Sequence, residues 1–188
     1  MNAVDISLEI VKELETTLKQ VNPDQTEALV QAILKANRVY VAGAGRSLLM
    51  IRGLAMRLMH LGFTAYVVGE TVTPAIEVGD LLIIGSGSGE TGTLQVMAAK
   101  AKKVGASLAL ITVHPESTIG KLANFIVKIP ATTPKTSGPS TAQTIQPGAN
   151  LFEQSLLLVS DALIIRILEV KHIADGNTDL MKRHANLE

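Results

Sequence analysis

The stretch Asp80-Leu-Leu-Ile-Ile-Gly-Ser-Gly-Ser-Gly-Glu-Thr91 joins a run of apolar residues directly to a turn rich in glycine and hydroxyl side chains. A short and continuous apolar run is typical of a strand that is buried on both faces, as in a parallel sheet. A helical pattern follows from Thr91 to about Val104. The stretch therefore predicts a strand over 80–84, a turn and a helix of an α/β protein.

The same order of strand, turn and helix occurs earlier in the chain. Residues 38–43 form a β-branched run that ends in glycine, and a helical pattern extends from Ser47 to about Leu61. Three more apolar runs predict strands at 64–68, 107–112 and 125–129. Five such strands alternating with helices predict a parallel sheet that is covered by helices on both faces.

We interpret the whole chain, 1–188, as one domain with four parts. N-terminal helices over 3–36 precede an α/β core over 37–130. The segment 130–149 is rich in Thr, Ser, Pro and Gly without periodicity, which predicts a binding loop or lid. A C-terminal helix over 150–172, followed by a tail, is apolar on nearly every side. We expect that helix to be buried all round, in part at a subunit interface.

The composition excludes several classes of function. Lys and Arg number 17, as do Asp and Glu, so no net charge attracts the chain to nucleic acid or an anionic membrane. Cysteine is absent, which excludes disulfides, thiolate nucleophiles and cysteine-bound zinc. No apolar run approaches the ~18 residues that span a bilayer, and the N-terminus lacks a signal-peptide pattern. We expect a cytoplasmic protein.

The turn after the third predicted strand has the donors that a phosphate group requires. Backbone N–H groups and the helix dipole meet there, and hydroxyls are added by Ser86, Ser88, Thr91 and Thr93. Capping of the helix alone would need one hydroxyl. We therefore predict that this turn binds phosphate.

A competing interpretation is a dinucleotide site, because Gly87-Ser-Gly-Glu-Thr-Gly92 matches the pattern GxGxxG and Glu116 follows at a plausible distance. Against it, Glu90 would place a carboxylate beside the pyrophosphate. The short chain also leaves little room for a separate substrate domain. We favour the phosphate interpretation, and the sequence indicates no nucleotide cofactor.

The turn Gly43-Ala-Gly-Arg-Ser47 is a second candidate, since its glycines let the backbone approach a ligand and Arg46 can bind phosphate or sugar oxygens. A tight turn with a helix cap explains the same residues equally well. Glu153, in the first turn of the last helix, is either a partner of the helix dipole or a general base.

Two of the four histidines have positions of interest. His60 ends a helix, where a histidine is favourable without any function, and His114 follows a strand towards the same edge as the two turns. No pair of histidines has the spacing of a helical metal site, so no bound metal is predicted.

The chain resembles the sugar isomerase (SIS) family, whose hallmark is a strand followed by Ser-x-Ser-Gly-x-Thr, here residues 86–91. Within that family it resembles the 6-phospho-3-hexuloisomerases. The matching stretches are Gly43-Ala-Gly-Arg-Ser47, Met56-Arg-Leu-Met-His-Leu-Gly-Phe63, Val68-Gly-Glu-Thr-Val-Thr-Pro74, Asp80 to Thr91, and Leu151-Phe-Glu-Gln-Ser155. The chain departs from the family pattern at Gln146-Pro-Gly-Ala-Asn150, where Gln-Pro-Met-Gly is expected.

The resemblance implies a flavodoxin-like three-layer sandwich around a five-stranded parallel sheet. It also implies a homotetramer without a cofactor. It implies conversion of D-arabino-hex-3-ulose 6-phosphate to D-fructose 6-phosphate, the step after formaldehyde fixation in the ribulose monophosphate pathway. Its implied catalytic groups are Glu153 as the base and His60, supplied by the same or a neighbouring subunit, as a second proton-transfer group. The implied substrate-binding residues are Gly45, Arg46, Ser47, Ser86, Ser88, Glu90 and Thr91.

Two alternatives stay open at this point. The chain is either a related isomerase that acts on a pentose or heptose phosphate, or a non-catalytic sensor that binds a phosphosugar. A sensor would retain its affinity for the ligand after loss of Glu153, whereas an isomerase would lose turnover.

Overall fold

The computed structural model describes residues 1–132, 144–173 and 175–187. The central part of the predicted loop, 133–143, lies outside the described residues. The elements in chain order are α1 (Ala3–Leu18), α2 (Pro23–Lys35), β1 (Val39–Gly43), α3 (Gly45–His60), β2 (Ala65–Val67), β3 (Leu81–Gly85), α4 (Gly92–Val104), β4 (Ser107–Thr112), a 3₁₀ turn (Gly120–Leu122), β5 (Phe125–Lys128), α5 (Asn150–Val170) and α6 (Gly176–Met181).

The five strands form one parallel sheet in the order β2-β1-β3-β4-β5. This is the flavodoxin-like order, and it confirms the predicted fold class. The order reverses between β1 and β3, where consecutive connections run to opposite sides of the sheet. A crevice at the carboxyl ends of β1 and β3 is the place where such sheets bind ligands.

Side chains of successive strand residues enter two different cores, which explains why the strands have no polar face. Val41 and Ile83 pack with α2, α3 and α5 on one face of the sheet. Tyr40 and Ile84 pack with α4 on the other. Because both faces are covered, each strand is apolar throughout its length.

The helix boundaries follow from their end residues. Asn2 accepts a hydrogen bond from the backbone N–H of Asp5, whose carboxylate accepts one from the N–H of Asn2, so α1 begins with a capping box. Asn22 caps α2 ahead of Pro23. Helix α4 ends at Gly105 with a φ of 82°, the left-handed conformation that glycine adopts without strain.

An ion pair joins the starts of β1 and β3, at the amino-terminal ends of the strands and therefore opposite the crevice. Arg38 Nη2 and Nε lie 2.7 and 3.0 Å from the two carboxylate oxygens of Asp80, which is only 2% exposed. The paired guanidinium satisfies the buried carboxylate, so this contact stabilises the fold away from the crevice.

Helix α5 is only partly covered within the single chain. The helix packs against α1, α2 and α3, yet Leu158 and Ile165 on its outer side are 42% and 59% exposed. The three covering helices contact only part of its circumference, so burial of the outer side at a subunit interface stays a prediction. Among the described residues, no helix has both the length and the apolar character to cross a membrane.

Candidate active site

A cleft of about 300 Å³ opens at the carboxyl ends of β1, β3 and β4. Helices α3, α4 and α5 all begin around this cleft, with their first turns at the carboxyl ends of the strands. Its size is at the lower end of the usual range for small-ligand sites. The residues that line it are Ala44, Ser47, Gly85, Ser86, Gly87, Ser88, Thr91, Leu94, His114, Gly148, Ala149 and Phe152.

The turn after β3 supplies hydroxyl groups whose hydrogens are available to a ligand. Ser86 Oγ accepts a hydrogen bond from the backbone N–H of Gly89 at 3.1 Å, and Ser88 Oγ accepts one from Glu90 at 3.2 Å. In both contacts the serine oxygen is the acceptor. Since a hydroxyl has one donor as well as its acceptor lone pairs, each serine can still donate to a phosphate oxygen.

Thr91 is the residue before the first turn of α4, but its side chain makes no capping hydrogen bond. The hydroxyl is therefore free for a ligand, which favours the phosphate interpretation over simple capping. The exposed backbone N–H groups and the positive end of the α4 dipole add to the attraction for an anion. Thr93 does not line the cleft.

The shape of this turn depends on Gly89. Its φ is +62°, and a Cβ atom placed there would lie 2.0 Å from Ser117 Oγ. Any larger residue would displace the serine or the turn, so glycine is required at this position.

A salt bridge lies beside the cleft, between the first turns of α3 and α5. Arg46 Nη1 is 2.9 Å from Glu153 Oε2 and also contacts Asn150 Oδ1. The Glu153 side chain is only 12% exposed. Arg46 lies between the lining residues Ala44 and Ser47, and Glu153 directly follows Phe152, so the pair is next to the cleft wall.

The structure thus brings most of the predicted site residues together at the carboxyl ends of the strands. Ser47, Ser86, Ser88 and Thr91 line the cleft, and Gly45 begins α3 next to it with a φ of +55°. Arg46 and Glu153 adjoin it.

Glu90, also predicted to bind substrate, is engaged elsewhere. Its carboxylate accepts hydrogen bonds from the N–H of Thr118 at 2.7 Å and from Gln95 Nε2 at 2.8 Å. The hydrogen bond from Thr118 is the main reason why the pKa of Glu90 lies below its usual value. Glu90 does not line the cleft, and its contacts connect the β3–α4 turn to the segment after β4.

His60 is separated from the cleft of its own chain by the length of α3. Ser47 lies 13 positions earlier in the same helix, which corresponds to about 20 Å at 1.5 Å per residue. His60 is 3% exposed, and its ring stacks on that of His184 with a centroid distance of 5.6 Å. Burial lowers the pKa of His60, and the charges of Arg57 and His184 act in the same direction.

Sequence reasoning missed two parts of the site. Phe152, Gly148 and Ala149 form the wall at the start of α5, although Phe152 was noted only as part of a matching motif. Glu13 on α1 holds the segment that leads into α5, accepting hydrogen bonds from Thr144 and Ile145 across more than 130 positions. No local pattern indicates that contact.

Within 1–132, 144–173 and 175–187, no group of three or more His, Asp or Glu side chains is arranged to hold a metal. The groups that the cleft offers are hydroxyls, backbone amides, a histidine and the adjacent Arg46–Glu153 pair. This set is suited to binding an anion and transferring a proton.

Comparison with known proteins agrees with the fold and the motifs. The family model for the SIS domain matches residues 32–159. The chain therefore belongs to the SIS domain family. It is 45% identical, over the whole length of both chains, to the 3-hexulose-6-phosphate isomerase of Bacillus subtilis. It is 43% identical to that of Mycobacterium gastri, with 94% of this chain and 86% of the relative covered.

A solved structure shows the same architecture. The protein from Methanococcus jannaschii, for which a function as 3-hexulose-6-phosphate isomerase has been inferred, aligns with a TM-score of 0.80 at 31% identity, covering 97% of each chain. The resemblance stated from the motifs is confirmed.

Proposed function

We propose that the chain is a phosphosugar isomerase that converts D-arabino-hex-3-ulose 6-phosphate to D-fructose 6-phosphate. The observation that carries the proposal is that one cleft has two features. The turn at 86–91 lines it with hydroxyls, of which that of Thr91 makes no capping hydrogen bond, and the mostly buried carboxylate of Glu153 lies beside it. The identity to the Bacillus subtilis and Mycobacterium gastri isomerases, over nearly all of each chain, supports this choice of substrate.

In the proposed reaction, Ser86, Ser88 and Thr91 bind the phosphate group, which is remote from the reacting carbons. Its binding energy can therefore orient the sugar before chemistry begins. The carbonyl moves from C3 to C2 through an enediol. A base removes the proton from C2 while the C3 oxygen gains one, and C3 then receives a proton as the C2 oxygen loses its own.

Glu153 is the proposed base for the two carbon atoms. Arg46 holds one carboxylate oxygen, so the group has a defined orientation beside the cleft. A guanidinium has five donor hydrogens, and those that Glu153 and Asn150 leave unused can bind the sugar oxygens. A well-placed acid or base contributes about 10²–10⁴ in rate.

His60 is the proposed second group, which would move protons between the two oxygens. Its distance from the cleft of its own chain means that this role requires the cleft of a neighbouring subunit. The ring would also have to be released from His184, which stacks on it in the single chain.

The proposed assembly is a homotetramer in the cytoplasm, acting after formaldehyde fixation in the ribulose monophosphate pathway. A tetramer with closed two-fold symmetry needs at least two self-complementary surfaces. Two apolar surfaces support this: an α1 face with Val4, Leu8 and Val11 exposed, and an α5 face with Leu158 and Ile165 exposed.

The assembly is testable by light scattering on the double variant Leu8→Glu/Val11→Glu. We expect its mass to fall to that of a dimer or monomer, because four or more carboxylates cannot be buried at one interface. The matched control is Val96→Glu, which places a charge at an exposed apolar residue of α4 on the other side of the sheet. A tetrameric double variant would exclude α1 as an interface.

The reaction is tested by supplying 3-hexulose 6-phosphate, made enzymatically from formaldehyde and ribulose 5-phosphate, and by following fructose 6-phosphate with an NADP-coupled assay. We expect turnover on this substrate and much slower turnover on pentose and heptose phosphates. Absence of turnover, with fructose 6-phosphate still raising the melting temperature, would contradict the isomerase and favour a phosphosugar sensor.

A further inference from the structure

Among the described residues that line the cleft, His114 is the one whose side chain can carry a positive charge. The other lining residues contribute hydroxyls, backbone or apolar surface. The phosphate of a sugar ester carries between one and two negative charges at pH 7, with a second pKa near 6. Hydroxyls and amides can bind that group, but they do not neutralise it.

Hydrogen bonds connect the backbone at His114, through Thr112 and Val113, to the turn after β3. Its N–H donates to Thr112 Oγ1 at 3.1 Å, and Thr112 Oγ1 donates to the carbonyl oxygen of Gly87 at 3.1 Å. The N–H of Val113 donates to the same carbonyl at 3.1 Å. The position of His114 relative to Ser86 and Ser88 is therefore fixed by hydrogen bonds rather than by a long loop.

The strand order places His114 on the side of the turn away from Glu153. The turn follows β3, Arg46 follows β1 and His114 follows β4, so the turn lies between the two. Neighbouring strands are about 4.8 Å apart, which separates the ends of β1 and β4 by about 10 Å. With the reacting carbons beside Glu153, the phosphate end of the substrate extends towards His114.

The other charged groups described near the turn are already paired or do not line the cleft. Arg46 binds Glu153, and the carboxylate of Glu90 binds Thr118 and Gln95. Lys121 is close enough to Glu90 to lower its pKa, but it does not line the cleft.

We propose that His114 binds the phosphate group of the substrate, donating a charge-assisted hydrogen bond from its imidazole to a phosphate oxygen. The inference rests on the isomerase function proposed above. It adds a residue from β4 to a phosphate site otherwise made by the β3–α4 turn.

The test is the variant His114→Asn, which retains a polar donor and removes the charge. Titration calorimetry with inorganic phosphate and with fructose 6-phosphate should show Kd values raised about 10-fold, since a charge-assisted hydrogen bond is about twice as strong as a neutral one. KM for 3-hexulose 6-phosphate should rise by a similar factor, with kcat within about 3-fold. The melting temperature should stay unchanged; if it falls, His114→Gln replaces His114→Asn.

Lys121→Gln is the matched control, because it removes a nearby positive charge that does not line the cleft. We expect its Kd values to stay within about 2-fold of wild type. The proposal is overturned if phosphate binding by His114→Asn is unchanged, if kcat falls while Kd does not, or if Lys121→Gln has an equal effect. A wild type that binds neither probe overturns it as well.

The two proposals fail in different ways in this experiment. A wild type that binds fructose 6-phosphate without turning over hexulose phosphate contradicts the isomerase, whereas the Kd comparison still tests His114. Turnover by wild type combined with unchanged binding by His114→Asn contradicts only the role of His114.

Discussion

Arg46 Nη1 lies 2.9 Å from Glu153 Oε2, although the two residues are 107 positions apart in the chain. The contact joins the first turn of α3 to the first turn of α5, and both turns meet at the cleft. A mostly buried carboxylate is stable only with a partner, and the guanidinium supplies one while keeping Glu153 oriented. Arg46 and Glu153 are therefore best regarded as one unit.

Replacing Glu153 with glutamine should remove turnover and preserve binding. Glutamine has nearly the same size and can still contact Arg46, but it cannot accept a proton from C2. We expect kcat to fall at least about 10²-fold, with Kd for fructose 6-phosphate within about 3-fold of wild type. Steady-state kinetics and calorimetry on the same preparation measure both quantities.

The matched control for Glu153→Gln is Glu169→Gln, on the exposed side of the same helix, where the carboxylate pairs with Arg166. Its kcat should be unchanged. A Glu153→Gln variant whose turnover stays within a few-fold of wild type would remove Glu153 from the role of base.

Loss of the Thr91 hydroxyl should weaken substrate binding without slowing the chemical step. The hydroxyl lines the cleft and does not cap α4, so Thr91→Val removes a phosphate donor and keeps the shape of the side chain. We expect KM to rise about 10-fold, equivalent to about 1.4 kcal/mol, and kcat to change less than about 3-fold. Thr93→Val, two residues later and outside the cleft, should leave KM unchanged. Equal effects of the two variants would argue against a specific phosphate contact.

Glu13 should make an acid-sensitive contribution to stability. Burial by itself raises the pKa of Glu13, but hydrogen bonds from Thr144, Gln146 and Ile145 outweigh it, so the pKa lies below the usual value. The unfolded chain therefore takes up this proton at a higher pH than the folded one. The stabilisation is present above about pH 4.5 and is lost as the pH falls through the folded-state pKa.

Denaturant unfolding of Glu13→Gln at pH 7 should show a loss of about 1 kcal/mol, because solvent screening reduces the about 1.5–3 kcal/mol of a hydrogen bond to a charged group. The difference from wild type should shrink towards pH 3. Glu9→Gln, on the same helix in an exposed pair with Lys12, is the control and should cost less than about 0.5 kcal/mol. A constant difference between pH 7 and pH 3 would contradict a role for the charge.

His60 should destabilise the fold as the pH falls below neutrality. Burial lowers its pKa in the folded state, so the unfolded chain binds the proton first. The stability associated with neutral His60 is present above about pH 6.5 and declines below it, by at most about 1.4 kcal/mol per pH unit. The measurement is the free energy of unfolding of wild type and His60→Gln between pH 5 and 8.

The His60→Gln curve should be flatter than that of wild type over this range. His172→Gln is the control, because His172 lies in an exposed position. If both variants retain the slope of wild type, the buried ring is not its source.

Much of the architecture was predictable because it depends on local patterns. The strands at 39–43, 81–85 and 107–112 were predicted to within one residue at each end, since a continuous apolar run is required when both faces of a strand are covered. The hydroxyl-rich turn at 86–91 was also predictable from a local pattern. Where a strand is followed directly by a helix, donors that can converge on one phosphate are neighbours in the sequence.

The order of elements, the parallel sheet and the position of the turn that we predict to bind phosphate therefore follow from the amino-acid sequence alone. Long-range packing, by contrast, pairs Glu153 with Arg46, brings Glu13 to the segment before α5, and separates His60 from its own cleft by the length of a helix. Periodicity records which side of an element is buried, but not which distant element covers it. Contacts between residues more than 100 positions apart depend on how the helices pack on the sheet, and that packing is a property of the whole fold.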